Sequence, residues 1–154
     1  MTSTDRDDLL TAIRSAIASA PSADGAMTQT VRLLKDAIPY YSWVGIYLLD
    51  GNELVLGPFL GKPSPHTRIP LDRGICGAAA SEKATIIVDD VNADSRYLAC
   101  SLETKSEIVV PIMEDGGVLG EIDIDSDTPA AFGDADRRLL EQVAALLAES
   151  LSEE

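Results

Sequence analysis

Cys100 lies in Tyr97-Leu98-Ala99-Cys100, at the end of a polar stretch that includes Asn92-Ala93-Asp94-Ser95-Arg96. Seven residues later comes Glu107, in Ser106-Glu107-Ile108-Val109-Val110-Pro111. Glu121, Asp123 and Asp125 then alternate with Ile122 and Ile124, so a strand through them carries all three carboxylates on one face. A second cysteine, Cys76, comes earlier, in Arg73-Gly74-Ile75-Cys76-Gly77. Thiols and carboxylates in a chain with one histidine suit redox chemistry on a small cationic or zwitterionic molecule. A lone cysteine more often packs as a small hydrophobe. A nucleophilic one needs a pKa below about 8.5, set by a nearby cation or a helix start. Arg96 and Lys105 are the cations near Cys100 in sequence, and Cys76 follows Gly74 at a helix start that favours thiolate.

Same-face carboxylates two residues apart repel, and more strongly in a pocket than in water. Three readings of Glu121, Asp123 and Asp125 stand side by side. They form a solvated sheet face, or a cluster built for an ammonium group and a departing oxygen, or a seat for a hard divalent cation. In the second case crowding and burial raise one carboxyl so that it holds a proton. The cluster does not choose among them, and no metal site is assigned.

The elements that must position these groups follow from pattern. Leu9, Leu10, Ile13 and Ile17 recur at helical spacing after a capping-box-like Thr4 and Asp7, and Pro21-Ser22 ends that helix. A second helix begins near Asp24, with Met27, Val31, Leu34 and Ile38 on one face, and stops at Pro39. Tyr41 to Leu49 and Glu53 to Leu60 read as a hairpin about Asp50-Gly51-Asn52. Pro63 and Pro65 make 61–65 a loop, and Thr67 to Leu71 is short and extended. Ile75 to Glu82 suits a short helix, Ala84 to Val88 a buried strand, and Asp89 to Lys105 a long loop. Glu107 to Met113 and Val118 to Asp125 form the last hairpin. Asp134 then caps a helix carrying Leu140, Val143, Leu147 and Leu151 inward. The class is α+β: an antiparallel sheet with terminal helices on one face and ligand-covering loops on the other. The site is expected between loops and sheet.

Length predicts one domain over residues 1–154, with 1–20 an N-terminal helix and 24–148 the core. Twelve basic against 26 acidic residues give −14, which argues against nucleic acid or an anionic membrane as partner. No apolar run approaches the roughly 20 residues of a membrane span, and the N-terminus lacks the pattern of a secretory signal. A cytoplasmic location is expected, with both cysteines reduced.

The runs Ser42-Trp43-Val44-Gly45-Ile46-Tyr47-Leu48-Leu49 and Leu54-Val55-Leu56-Gly57-Pro58-Phe59-Leu60-Gly61 resemble a GAF domain of the free methionine-(R)-sulfoxide reductase type. So do Arg73-Gly74-Ile75-Cys76-Gly77, Ala99-Cys100, Ser106-Glu107-Ile108-Val109 and Asp123-Ile124-Asp125-Ser126. The resemblance implies that Cys100 attacks the sulfoxide sulfur. Glu107, Asp123 or Asp125 protonates the oxygen and holds the substrate ammonium, while Trp43 and Tyr47 wall the methyl-sulfur end. Cys100 becomes a sulfenic acid, a second thiol condenses with it, and thioredoxin reduces the disulfide, with no bound cofactor. The resemblance also implies a third cysteine, the main resolving partner, ten residues before Cys76, where this chain has His66. Cys76 or an external thiol then resolves Cys100, or the chain is a non-catalytic small-molecule sensor, or Cys76 and Cys100 form a redox switch. His66 instead lowers the Cys100 pKa, contacts the ligand, or is a plain loop residue. Pairing through terminal helices implies a homodimer.

Overall fold

A computed structural model describes residues 2–98 and 101–152 of the chain. Helix α1 (Ser3–Ser19) starts two residues earlier than Thr4 and Asp7 suggest. The capping pair is Thr2 and Asp5: the Asp5 amide donates to Thr2 Oγ1 at 3.1 Å and the Thr2 amide to Asp5 Oδ2 at 3.0 Å. Helix α2 (Ala23–Ala37) is capped by Ser22, whose hydroxyl accepts from the Gly25 amide at 3.1 Å. Its apolar stripe of Met27, Val31 and Leu34, continued by Ile38, is buried as the spacing requires.

Strands β1 (Trp43–Asp50), β2 (Glu53–Leu60), β3 (Arg68–Pro70), β4 (Ile86–Val88), β5 (Ser106–Glu114) and β6 (Gly117–Ser126) form one sheet in the order β3-β2-β1-β6-β5-β4. Every neighbouring pair is antiparallel. Between β3 and β4 lies α3 (Gly74–Glu82). The buried strand expected over Ala84 to Val88 is shorter, and only Val88 of β4 is fully buried. The physical reason is the end of α3. Lys83 caps it in the left-handed conformation (φ 55°) and the Ala84 amide still bonds back to Ala79, so the chain is not extended until Ile86. Among its described residues, the expected long loop 89–105 holds a single 3-10 turn, at Val91–Ala93.

Helix α4 (Asp134–Ser152) is not capped by Asp134. Asp136 reaches back instead, its Oδ2 accepting from the Gly133 amide at 3.0 Å. Its Oδ1 accepts from the Tyr40 and Tyr41 hydroxyls at 2.8 and 2.6 Å, so one carboxylate both starts α4 and ties it to the segment before β1.

Alternation along the strands divides the interior in two. Val44, Ile46, Ile108, Val110, Ile122 and Ile124 face α1, α2 and α4. Leu9 and Ile13 of α1 are buried in this core, with Leu10 and Ile17 packed at its margin, so the chain's own interior consumes that stripe. Trp43, Tyr47, Val88 and Val109 face the other way, toward α3, in a second cluster that includes Cys76. Among the described residues no helix is long and apolar enough to cross a membrane.

Candidate functional site

The sheet register builds the site. On β6, Glu121, Asp123 and Asp125 lie opposite Tyr47, Gly45 and Trp43 of β1 on one side. On the other side they lie opposite Pro111, Val109 and Glu107 of β5. The period of two therefore gathers an aromatic wall and four carboxyl groups on one face. That face is not solvated, which removes the first of the three readings. Glu121 is 0% exposed, Asp123 3%, Asp125 4% and Glu107 5%, because α3 and the flanking loops cover it.

Burial raises the pKa of all three β6 carboxyls. The charge of Asp123 raises Glu121 and Asp125 further. Glu107 is hydrogen-bonded to both Asp123 and Asp125, which opposes the shift. Two carboxyl oxygens can meet in a hydrogen bond only through a proton on one of them. No cationic side chain offsets the burial of Glu121, Asp123 or Asp125 among the described residues. Asp123 Oδ1 and Asp125 Oδ1 lack hydrogen-bond partners there, and Glu121 has no nitrogen or oxygen partner there. The Cys76 thiol hydrogen-bonds to Glu121.

Cys76 stands in the first turn of α3 and is buried. The expectation that a helix start favours its thiolate is corrected. Burial pushes its pKa well up, and Asp123, Glu121 and Glu107 push it further, outweighing any effect of the helix end. Gly74 is required at this start: it has φ 70°, and a Cβ there would meet Leu98 at 2.9 Å. Cys100 lies outside the described residues. Of the two cations near it in sequence, Arg96 is engaged elsewhere, with Asp94 at 2.7 Å and Glu82 at 3.8 Å.

Trp43 is held on every side. Its ring stacks on Phe59 at 5.7 Å and 21°, and its Nε1 donates to the Lys62 carbonyl at 2.9 Å. A Cβ on Gly45 would lie 2.3 Å from the ring, so the indole covers bare backbone opposite Asp123. Tyr47 is buried, and its hydroxyl donates to the His66 carbonyl at 2.8 Å. His66 itself is half-buried and lines the same cleft as Tyr47, Cys76, Glu107 and Asp123.

That cleft encloses a cavity of about 20 Å³, and a second, lined by Trp43, Asp125, Lys62, Ser101, Thr104 and Asp127, encloses about 70 Å³. Both are far smaller than the roughly 300–1,000 Å³ of drug-sized ligand pockets. Lys62 and Glu103 bridge the two loops over the second cleft at 2.7 Å. The Lys62 ammonium and the Ser101 hydroxyl hold Glu103 at about 2. Sequence reasoning missed Lys62, Thr104 and Asp127, which sit outside regular elements where no periodicity marks them. Glu121 was legible only as a member of the alternating row.

An antiparallel sheet with α1, α2 and α4 on one face and a buried acidic site under α3 on the other is the GAF architecture. The chain matches the GAF domain family over residues 22–151 and belongs to it. Within that family it is 36% identical over 126 residues to the free methionine-R-sulfoxide reductase of Escherichia coli, spanning 82% of this chain and 76% of that one. It is 46% identical over 113 residues to the enzyme of that description from Saccharomyces cerevisiae, spanning 71% and 62%. The structure superposes on free methionine-R-sulfoxide reductase from Neisseria meningitidis, solved in complex with its substrate, with TM-score 0.92 and 36% identity. That superposition covers 99% of this chain and 92% of the other.

Proposed function

We propose that this protein reduces free L-methionine-(R)-sulfoxide to methionine. The observation that carries the reading is the row of buried carboxyls, without an offsetting cation on three of them, facing Trp43 and Tyr47. A methionine sulfoxide is complementary to it: an ammonium to neutralise carboxylates, a polar oxygen to take a proton, and a methyl-sulfur end to rest on an aromatic wall. The reductase relatives support the same assignment.

In this reading the Cys100 thiolate attacks the sulfoxide sulfur. A carboxyl of the Glu107, Asp123 and Asp125 trio gives its proton to the oxygen. The sulfur is reduced and methionine leaves, while the oxygen stays on Cys100 as a sulfenic acid. A thiol condenses with the sulfenic acid, releasing water, and thioredoxin or a similar dithiol reduces the resulting disulfide. His66 occupies the position where the resemblance expects a resolving cysteine. Cys76, a buried thiol among carboxyls, is a weak nucleophile. An external thiol is therefore the better-supported resolving partner, and His66 serves the ligand cleft.

The test is turnover of free L-methionine-(R)-sulfoxide with thioredoxin, its reductase and NADPH, with dithiothreitol in parallel. Cys100→Ser should abolish turnover with either reductant, and Cys76→Ser should leave both within about threefold. A tenfold fall confined to thioredoxin in Cys76→Ser would assign resolution to Cys76. Ligand binding without turnover by either reductant would make the chain a sensor module and overturn the proposal.

A further inference from the structure

Cys76 Sγ, one oxygen of Glu107 and one of Asp123 all lie within 4.8 Å of one another. All three side chains are buried. An acidic cluster alone would not define a ligand, but this one contains sulfur, and Asp123, 3% exposed, keeps its Oδ1 without a hydrogen-bond partner. Glu121 precedes Asp123 by two residues on the same strand face, is wholly buried, and meets the Cys76 thiol. A buried carboxylate with nothing to bind is costly, and a cation relieves that cost.

We propose that Cys76, Glu107 and Asp123, with Glu121 as fourth donor, form a binding site for a zinc-class divalent cation. The donor chemistry selects the metal. Magnesium and calcium take all-oxygen shells, whereas a thiolate among carboxylates suits zinc or cadmium. Zinc holds four donors tetrahedrally at about 2.0–2.3 Å. Donors of such a shell are therefore roughly 3.3–3.8 Å apart, within the 4.8 Å span of the present cluster. Binding would expel the protons that the thiol and carboxyls hold. The site is reached through the cleft lined by Tyr47, His66 and Leu98. The inference is independent of the reductase reading, since a metal would bind whether or not a sulfoxide is reduced. Where both hold, metal and substrate ammonium claim the same carboxylates.

Cadmium alone is the probe, titrated into the full chain carrying Cys100→Ser so that Cys76 is the one remaining thiol. Thiolate-to-cadmium charge-transfer absorption in the ultraviolet should grow to one equivalent per chain. Adding Cys76→Ala should abolish the band, and adding Asp123→Asn or Glu121→Gln should weaken cadmium at least tenfold, the loss expected when a metal site loses a donor or its support. Excess zinc should displace cadmium competitively, and a hundredfold excess of magnesium should not. Circular dichroism establishes that each variant is folded, and the milder Glu121→Gln serves if Asp123→Asn is not. No band in the Cys100→Ser protein, or an affinity unchanged in the folded carboxylate variants, would overturn the site.

Discussion

Glu121 shows how a residue's chemistry is set by what it lacks. An unfolded carboxyl titrates near 4, but Glu121, Asp123 and Asp125 titrate higher in the fold because burial disfavours their anions. Protonated, they sit comfortably; ionised, they do not. Their contribution to stability is thus fully present below about pH 4 and is lost as pH rises through their folded values. Thermal unfolding of the ligand-free protein should therefore show a midpoint that falls as pH rises from about 4 through those raised values. Glu121→Gln should flatten that fall by up to about 1.4 kcal/mol per pH unit for the proton removed. Parallel pH curves for variant and parent would refute the account. For catalysis, Asp123→Asn and Asp125→Asn should each lower kcat/KM for methionine sulfoxide by about 10²-fold or more, the range of a lost general acid. The sequence told that these carboxylates share a face. The loop lengths placed a cover over that face, but not how tightly α3 and those loops close on the carboxyls, because that is set by tertiary packing rather than by period.

At the level of elements, helix and strand positions were legible wherever the apolar spacing ran long, as in α2 and the two hairpins. Boundaries set by caps were not. The side chain that starts α4 is Asp136, buried and answering to Tyr40 and Tyr41 from far along the chain. A local reading saw only Asp134 at the right offset. Asp136→Ala should leave the Tyr41 hydroxyl buried without its acceptor and the Gly133 amide uncapped, costing about 2–4 kcal/mol in urea denaturation with an unchanged m-value. The pairing of β1 with β6 sets a different constraint, since Gly45 must stay bare for the indole to lie over it. Gly45→Ala should push the ring off Phe59 and the Lys62 carbonyl, destabilise by about 1–3 kcal/mol, and raise KM more than it lowers kcat.

The whole molecule is a sheet with a large helical core on one side and a small cluster beside the buried carboxyls on the other. Stability and chemistry are thereby kept on separate faces, which lets the acidic side carry unpaired groups that a core could not. The net charge of −14 acts over both. Self-repulsion at that charge destabilises the compact state, and salt screens it. The thermal midpoint should accordingly rise as sodium chloride increases from about 0.02 to 0.5 M, and no rise would mean that the acidic residues are already locally compensated. Charge at this scale was plain in the composition, but its bearing on the site was not, because the four decisive carboxyls are among the few hidden from solvent.

Trp43 is the single tryptophan of the chain, so ultraviolet-excited emission near the red edge comes from one indole at one known place. That indole stacks on Phe59, gives its N–H to a loop carbonyl, and shares a cleft with Asp125. The protein thus carries its own optical gauge of occupancy, readable without a label: a ligand settling beside Asp125 must change the light this ring returns.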